Sequence, residues 1–266
     1  MRKSVRILLC LLILLGCMTS DMPTIFKLEA EHTSTTDKAI ICAADILTAG
    51  GLALVPTETV YGVAASVAAF SDDAAYERDA TTCVNGAPVP ALGTGYRRIF
   101  TLKRRDIAQT VAWLVAGADD LDRFGVNVDP RARVLAREFW PGALTIVVKA
   151  APSVPRFMQE TDGTVALRAS ASSVIASLIK ACKSPLVCTS SNTHGAPAPA
   201  SFDQVEARIL DGVDVAIDAG ETKCLEASTI VSFESGELSI IREGALPSSQ
   251  IINALECASS SLDGKD

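Results

Sequence analysis

The spacing of apolar residues predicts that the first regular segment is a helix leading into a buried strand. After Thr35-Thr36-Asp37, which can cap a helix, apolar side chains recur at helical spacing as far as Gly50-Gly51, where the helix should end. The run at residues 52–55 is apolar and β-rich, and a proline then interrupts it. This pattern places polar groups at the far end of a buried strand.

Further along the chain, helical and strand patterns alternate. Helical patterns cover a short segment ending near Asp106 and longer segments at residues 121–139, 173–181 and 247–257. Strand patterns cover residues 163–168, 185–190, 214–220 and 228–232. Residues 66–95 hold Asp, Asn, Pro and Gly without a sustained period, which predicts a mobile surface insertion, and residues 258–266 predict a polar tail.

Composition narrows the class of protein. The chain has 266 residues, of which 48% are apolar and only 5% aromatic, a composition typical of an α/β enzyme with a substantial core. The formal net charge of −7 argues against the basic surface of a general nucleic-acid binder, although a local basic cleft remains possible.

The cysteines and histidines predict reduced thiols and no protein-held metal. None of the eight cysteines stands in a Cys-x-x-Cys pair, and the chain has only two histidines. A zinc site therefore has few ligands available, and scattered unpaired thiols favour an intracellular compartment.

The N-terminus allows two interpretations. A basic segment at residues 1–6 precedes an apolar segment at 7–15, and Leu14-Leu-Gly-Cys17 resembles a lipoprotein cleavage box. The apolar segment is shorter than the roughly 20 residues that a membrane span needs, so no stable span is expected. Either the segment is a signal with a lipid anchor at Cys17, or the start codon is over-extended and Met18 or Met22 is the first residue. Both interpretations exclude residues 1–30 from the fold.

Two polar clusters are candidates for ligand chemistry. The polar residues after the 52–55 strand could bind a ligand at a sheet edge, or could be a plain strand end that caps the next turn. The dense cationic cluster over residues 97–105 could be a solvated face, or could bind phosphate, because Arg forks bind phosphate oxygens bidentately and Lys adds a compact charge.

Two further strand ends carry polar groups. Arg168 closes a short strand and could form a salt bridge or hold a carboxylate, and Ser190-Ser-Asn192 follows a buried strand, where such groups can hydrogen-bond phosphate or ribose. His194 lacks a Ser/Asp partner arrangement and is interpreted as a loop residue. The chain contains no P-loop and no Gly-x-Gly-x-x-Gly, so a nucleotide would have to be held by dispersed side chains.

Several motifs together resemble one family. Pro56-Thr-Glu-Thr-Val-Tyr-Gly62 resembles the signature of the YrdC-like L-threonylcarbamoyladenylate synthases, and the resemblance covers about residues 38–255. The other matching motifs, in the order of the family, are Lys103-x-Arg105, Trp140-Pro-Gly-Ala-Leu-Thr145, Thr164-Val-Ala-Leu-Arg168, Ser190-x-Asn192, Ser228-Thr-Ile and Arg242-x-Gly-Ala.

The resemblance implies a fold, a reaction and a set of site residues. The fold would be a twisted mixed parallel and antiparallel sheet with flanking helices, formed by residues 31–257. The reaction would join L-threonine, bicarbonate and ATP into threonylcarbamoyl-AMP and pyrophosphate, for N6-threonylcarbamoyladenosine in tRNA. The implied threonine-binding residues are Thr59, Arg168 and Ser228, and the implied ATP-binding residues are Lys103, Arg105, Gln109, Thr164, Ser190, Asn192 and Arg242.

Catalysis would rest on positioning and charge neutralisation, with Lys103 and Arg105 as the catalytic pair and no general base. Mg²⁺ would arrive with ATP. Possible partners are tRNA and the downstream transfer proteins, and the location would be the cytoplasm, which favours the over-extended start codon over export.

The chain departs from the family pattern at several positions. Asp106 stands where relatives have proline, Leu114 near a family histidine, and His194 where relatives often have serine, and Ala169-Ser170 follows Arg168 where relatives have x-Pro. Two alternative functions are open. One is an RNA-binding module, which the resemblance implies through the family's concave basic face. The other is a catalytically degenerate, exported paralogue, which the N-terminus, the insertion and the changes at Asp106, Leu114 and His194 suggest.

Overall fold

Ten strands form one mixed sheet in the part of the chain that the computed structural model describes, residues 22–28 and 33–263. The strands are β1 (Thr24–Lys27), β2 (Ala53–Pro56), β3 (Tyr61–Ser66), β4 (Arg78–Val84), β5 (Ala87–Pro90), β6 (Trp113–Leu114), β7 (Leu144–Lys149), β8 (Thr164–Arg168), β9 (Leu186–Ser190), β10 (Val215–Asp218), β11 (Thr229–Ser232) and β12 (Ser239–Arg242). β4 and β5 pair separately as a two-stranded sheet.

Seven helices accompany these strands in the described residues. They are α1 (Lys38–Thr48), α2 (Gly95–Lys103), α3 (Asp120–Phe124), α4 (Pro130–Phe139), α5 (Ser173–Cys182), α6 (Ala207–Leu210) and α7 (Ser248–Asp263). Short 3₁₀ turns cover Ala68–Phe70, Arg156–Met158 and Phe202–Gln204.

The large sheet combines both strand directions. Its order is β1-β10-β2-β3-β9-β6-β8-β7-β11-β12. The β1/β10, β10/β2, β6/β8 and β7/β11 pairs are parallel, whereas β2/β3, β3/β9, β6/β9, β7/β8 and β11/β12 are antiparallel. The expected mixed sheet with flanking helices is therefore confirmed.

Two apolar cores lie against the sheet. A smaller core forms where α1 and α5 pack on one face of β2, β9 and β10, and it includes Ile40, Val55 and Leu178. A larger core occupies the opposite face and includes Trp113, Leu135 and Ile146. The helices of the smaller core cover only part of their face of the sheet, and the uncovered part forms the site described below.

The exclusion of residues 1–30 from the fold is wrong for β1. Thr24 pairs with Val215 and Lys27 with Asp218 in parallel register, and the Leu28 amide donates to the Asp218 carbonyl at 2.8 Å. The strand forms because Phe26 packs against the smaller core while the backbone completes the ladder of β10. The basic and apolar segments of residues 1–15 and Cys17 lie outside the described residues.

The segment predicted as a mobile surface insertion, residues 66–95, contains regular structure that the sequence did not indicate. β4 and β5 form an antiparallel hairpin whose turn, Asn85-Gly86, has positive φ at both residues, 51° and 74°. Asparagine and glycine are the residues that tolerate this conformation, and such turns match the twist of paired strands. Val84 and Val89 are buried in the larger core, so the hairpin is a packed part of the domain.

The polar tail begins later than the sequence suggests. The predicted helix over residues 247–257 is present, but α7 continues to Asp263, which makes the assignment of residues 258–263 to a tail wrong. Each added residue of a formed helix gains a backbone hydrogen bond, so a polar sequence can extend a helix that Ile251 anchors in the larger core. Within the described ranges, every helix is too short or too polar to cross a membrane.

Candidate active site

A cavity of about 540 Å³ opens on the part of the sheet that α1 and α5 leave uncovered. In β8, Val165 and Leu167 belong to the larger core, whereas Thr164, Ala166 and Arg168 line the cavity. Because side chains alternate between the two faces of a strand, alternate residues of the same strand pack in the core and line the cavity. β7 and β11 follow the same alternation.

Many side chains of the cavity floor are small or polar and leave room above the sheet. They include Gly62, Ala112, Thr145, Ala166, Ser228 and Ser232. Leu114 and Cys188 belong both to this floor and to the smaller core, so the floor continues the sheet face that the helices cover. Leu114, at the position near the family histidine, therefore presents an apolar surface to the cavity.

Arg168 is fixed at the end of β8 by three acceptors. Its Nη2 donates to the Glu58 carboxylate and, at 3.0 Å, to Thr59 Oγ1, while its Nε donates to the Gly142 carbonyl at 3.0 Å. Ser170 Oγ donates to the other oxygen of Glu58. The arginine and glutamate side chains are only 8% and 7% exposed.

The ion pair determines the protonation of Glu58. Burial raises the pKa of this carboxyl, but the Arg168 charge and the hydrogen bonds from Ser170 and Arg168 outweigh burial, so the pKa is lowered overall. Glu58 is therefore ionised at neutral pH and holds the Arg168 guanidinium against one wall of the cavity.

A second arginine stands near the first. Arg242 donates from Nε at 3.1 Å and from Nη2 at 2.6 Å to the Ser228 carbonyl, and Ser228 Oγ lies 2.8 Å from Thr145 Oγ1. Burial and the neighbouring Arg168 charge lower the pKa of Arg242. Two guanidinium groups with one carboxylate leave a net positive charge here, which suits an anion.

Lys103 supports the cavity wall from behind. It is the last residue of α2, it is 3% exposed, and its Nζ donates to the Ser190 carbonyl, to the Asn192 carbonyl at 2.8 Å and to Asn192 Oδ1 at 3.2 Å. Burial and the Arg105 charge lower the pKa of Lys103 to about 8. The ammonium group therefore fixes Ser190, at the end of β9, and the residues that follow it as far as Asn192, a segment called the Ser190 loop below. The Ser190 side chain lines the cavity.

Arg105 also lines the cavity. Its Nη2 donates to the Thr110 carbonyl at 2.5 Å and its Nε to Gln109 Oε1 at 3.1 Å. Thr110 Oγ1 in turn donates to the Glu160 carboxylate, and Arg105, Thr110 and Glu160 all line the cavity. Thr164, at the start of β8, donates from Oγ1 to Asp162 at 2.7 Å.

The structure brings together most of the residues singled out from the sequence. Seven of the ten line one cavity: Thr59, Arg105, Thr164, Arg168, Ser190, Ser228 and Arg242. Lys103 and Asn192 are buried behind its wall, and Gln109 is an exposed support of Arg105.

Sequence reasoning gave no role to Glu58, Thr145 or Glu160. Of these, Glu58 carries a signal, because a glutamate inside a buried run needs a cationic partner and a strand-end arginine was available.

Asp106 and His194, which also depart from the family pattern, lie in loops. Asp106 accepts a hydrogen bond from the Ala108 amide at 2.9 Å, and His194 is exposed, with its backbone amide donating to the Lys103 carbonyl at 2.9 Å. Among the described residues, no group of three His, Cys, Asp or Glu side chains is placed to hold a metal ion.

Comparison with known proteins identifies the family of this chain. A family model for Sua5, YciO and YrdC proteins, described as telomere recombination, matches residues 93–244. The putative threonylcarbamoyl-AMP synthase of Mycobacterium tuberculosis H37Rv is 31% identical over 227 residues, covering 85% of this chain and 94% of the relative. The threonylcarbamoyl-AMP synthase of Pyrococcus abyssi is 29% identical over 209 residues, and the match covers 79% of this chain but only 55% of that protein.

Solved structures give the same result. P. abyssi Sua5 complexed with L-threonine superposes with a TM-score of 0.72 at 27% identity, covering 86% of this chain and 60% of that one. Escherichia coli YciO, at 18% identity and a TM-score of 0.67, shares the fold and covers 84% of this chain and 96% of its own. The family match, the mycobacterial relative and the shared sheet together show that this chain belongs to the Sua5/YciO/YrdC family.

Proposed function

We propose that this protein is a threonylcarbamoyl-AMP synthase, an enzyme that joins L-threonine, bicarbonate and ATP and releases pyrophosphate. One observation carries the proposal: residues scattered from Thr59 to Arg242 converge on a single cavity that Arg105, Arg168 and Arg242 line. The names of the Mycobacterium and Pyrococcus relatives support the same activity. The product would serve N6-threonylcarbamoyladenosine synthesis in tRNA, and we expect the protein to act in the cytoplasm.

L-Threonine would bind at the Arg168 end of the cavity. Arg168 is held rigidly by Glu58 and Thr59, so its guanidinium can receive a carboxylate with little loss of side-chain entropy. Ser228 and Thr145 add hydroxyl groups within the same region. The Pyrococcus structure is a complex with L-threonine, which supports an amino-acid site in this fold.

ATP would occupy the rest of the cavity. Arg105, Thr164 and Ser190 line it, with Gln109 supporting Arg105 and with Lys103 and Asn192 holding the Ser190 loop. Arg242, which lines the same cavity, would also contact the phosphates. Magnesium, which we expect to arrive with ATP, would supply further neutralisation of phosphate charge.

The reaction would proceed in two steps. The threonine amine adds to bicarbonate with loss of water and gives a carbamate. A carbamate oxygen then attacks the α-phosphorus of ATP, and the bond from that phosphorus to the bridging oxygen breaks to release pyrophosphate. Arg105 and Arg242 would stabilise the charge that builds on the phosphate oxygens, so positioning and electrostatics suffice without a general base.

The test is pyrophosphate release by the purified full chain, with and without L-threonine and bicarbonate. We expect release to require both, and to fall at least about 100-fold in Arg105→Ala, as for the loss of one transition-state donor. Arg133→Ala, which removes an exposed partner of Asp122, is the matched control and should retain activity. Release that ignores threonine, or that persists in Arg105→Ala, would contradict the proposal.

A further inference from the structure

The β4–β5 hairpin, which lies outside the residues 93–244 that the family model matches, contacts two segments that lead to the cavity. Its strands pack against the 3₁₀ turn Arg156–Met158, and that turn leads into the cavity-lining residues Glu160 and Asp162. The hairpin also contacts α2, at whose C-terminal end Lys103 and Arg105 stand, because Asp79 pairs with Arg97 at 3.5 Å. It thus connects the two segments that meet at Arg105.

The side chain of Asn85, at the hairpin turn, makes the contact with the second segment. Its Nδ2 donates to the Gln159 carbonyl at 2.6 Å, and lies 3.2 Å from the Arg156 carbonyl and 3.3 Å from the Glu160 carbonyl. The two N–H groups of one amide therefore serve three carbonyls. The Arg156 and Glu160 carbonyls also accept from the Gln159 and Gly163 amides, so the Gln159 carbonyl, at the shortest distance, depends most on Asn85.

The segment held by Asn85 reaches Arg105 in two further contacts. Glu160 accepts a hydrogen bond from Thr110 Oγ1, and the Thr110 carbonyl accepts a hydrogen bond from Arg105 at 2.5 Å. The Glu160 amide donates to the Thr164 carbonyl at 2.9 Å, which sets the position at which β8 begins. A shift of the Glu160 turn would therefore move Arg105 and Thr164 together.

We propose that Asn85 is a positioning residue for the nucleotide end of the cavity. By holding the carbonyls of residues 156–160, it places Glu160 so that Thr110 keeps Arg105 directed at the phosphates. The proposal rests on the proposed function, since it assigns ATP to this end. The threonine end is held by separate contacts of Arg168 with Glu58, Thr59 and Gly142, so an Asn85 variant should disturb ATP and leave L-threonine unaffected.

Two substitutions distinguish the hydrogen bonds of the Asn85 side chain from the role of this residue in the hairpin turn. Asn85→Asp and Asn85→Gly both tolerate the positive φ of this position, so the hairpin turn should persist while the donor is lost. Asp should act more strongly, since it places a carboxylate against three carbonyl oxygens. Cys83→Ser, an exposed substitution in β4, is the matched control.

The readouts are the kcat and the separate KM values for ATP and L-threonine, with calorimetric ATP binding and thermal unfolding of the same full-length proteins. In Asn85→Gly we expect the KM for ATP and the ATP Kd to rise about tenfold, the size expected for loss of a well-placed hydrogen bond. The KM for L-threonine should stay within about twofold of the wild-type value in the same variant, because the lost hydrogen bond positions only the ATP end of the cavity. Cys83→Ser should match the wild type.

Two results would overturn the positioning role. One is an unchanged ATP Kd in both Asn85 variants, and the other is an equal rise of both KM values with a lowered unfolding temperature, which a purely structural role would give. If the wild type releases no pyrophosphate with threonine yet binds ATP, the proposed function fails while the Asn85 effect is still decided by calorimetry. If the wild type binds no ATP, both proposals fail.

Discussion

Two buried charges in the site are stabilised in different ways. Glu58 is compensated by a full opposite charge on Arg168, whereas the ammonium of Lys103 meets only the oxygens of Ser190 and Asn192. A charge facing a partner charge keeps its ionised state over a wide pH range, while one facing dipoles alone loses it more readily. The two residues should therefore respond differently to mutation and to pH.

Substituting Glu58 by glutamine should destabilise the protein strongly. The variant leaves Arg168 buried without a counter-charge, so we expect a loss of about 3–5 kcal/mol in the free energy of unfolding. Asp122→Asn breaks the exposed pair with Arg133 and should lose no more than about 1 kcal/mol. Chemical denaturation of both variants gives the comparison, and equal effects would show that the Glu58 pair contributes no more than a surface pair.

The Glu58 contribution should also depend on pH. Its pKa is lower in the folded than in the unfolded chain, so the ionised carboxylate stabilises the protein above the unfolded pKa. This stabilisation is lost as the pH falls through the lowered pKa. The stability difference between wild type and Glu58→Gln should consequently shrink on acidification, whereas a constant difference would mean that the carboxylate charge is not its source.

Lys103 should make ATP binding sensitive to mildly alkaline pH. Its pKa is lowered to about 8, so the ammonium predominates below that pH and the neutral amine above it. We expect the ATP affinity of the wild type to fall as the pH rises through about 8, because the Ser190 loop then loses one donor. Lys103→Met should bind ATP more weakly at every pH, with a flat profile in this window. A flat profile in the wild type would contradict the assignment.

The site residues that the sequence predicted share a simple signal. Arg168, Ser190 and Ser228 stand at or beside the ends of apolar runs, where polar side chains leave the core and can meet a ligand. The side-chain direction of Lys103 lacks such a signal, since its four-carbon stem can reach either into the cavity or behind it. Its placement depends on where β9 ends, which is a tertiary property.

The strands of the β4–β5 hairpin lack the sequence pattern by which strands are usually recognised. Asn85-Gly86 is a strong hairpin signal, but the flanking strands lack clear alternation because β4 bulges between Asp79 and Cys83. β5 contains Pro88 and Pro90, which are compatible with a strand only where no neighbour needs their amide. A two-stranded sheet satisfies that condition.

Core packing of the hairpin can be tested with one buried and one exposed position. Val89 is fully buried, so Val89→Ala should lower the free energy of unfolding by about 2 kcal/mol through lost burial and a small cavity. Cys83→Ala, on the exposed side of the same hairpin, should change it by less than about 0.5 kcal/mol. Equal effects of the two substitutions in thermal or chemical unfolding would show that the hairpin is only loosely attached to the core.

Longer elements were predicted more securely than short ones. The helical segment predicted over residues 121–139 contains α3 and α4, the helix predicted over 173–181 is α5, and the strand predicted over 163–168 is β8. The pattern of apolar residues is what identifies these elements. β6 has two residues and β1 has four, too few for periodicity, and both exist because neighbouring strands offer unpaired backbone groups. Their formation is decided by pairing across the sheet.

The distribution of charge over the protein argues against strong binding of nucleic acid. The net charge is −7, Arg97 and Arg98 pair with Asp79 and Asp214, and the Lys103 ammonium is buried. Most of the cationic cluster is thus paired with carboxylates or buried, and little of it is available to release counterions from a phosphate backbone.

Duplex RNA should therefore bind weakly. In fluorescence anisotropy with a labelled duplex at physiological salt, we expect a dissociation constant near the weak end of the non-specific range, about 10⁻⁴ M. Arg104→Ala, which removes an exposed member of the cluster, should leave the result unchanged. Tight, salt-sensitive binding that Arg104→Ala weakens would favour the RNA-binding alternative.

The alternation along β7, β8 and β11 also limits how this family can diverge. Ligand preference and stability depend on interleaved positions of the same strands, so a point substitution at Ala166 can reshape the cavity while Val165 and Leu167 keep the core intact. Loss of one residue within β8 would instead exchange the two sets and turn Arg168 towards the apolar side. New substrates are thus accessible by substitution, while the lengths of these strands must stay fixed.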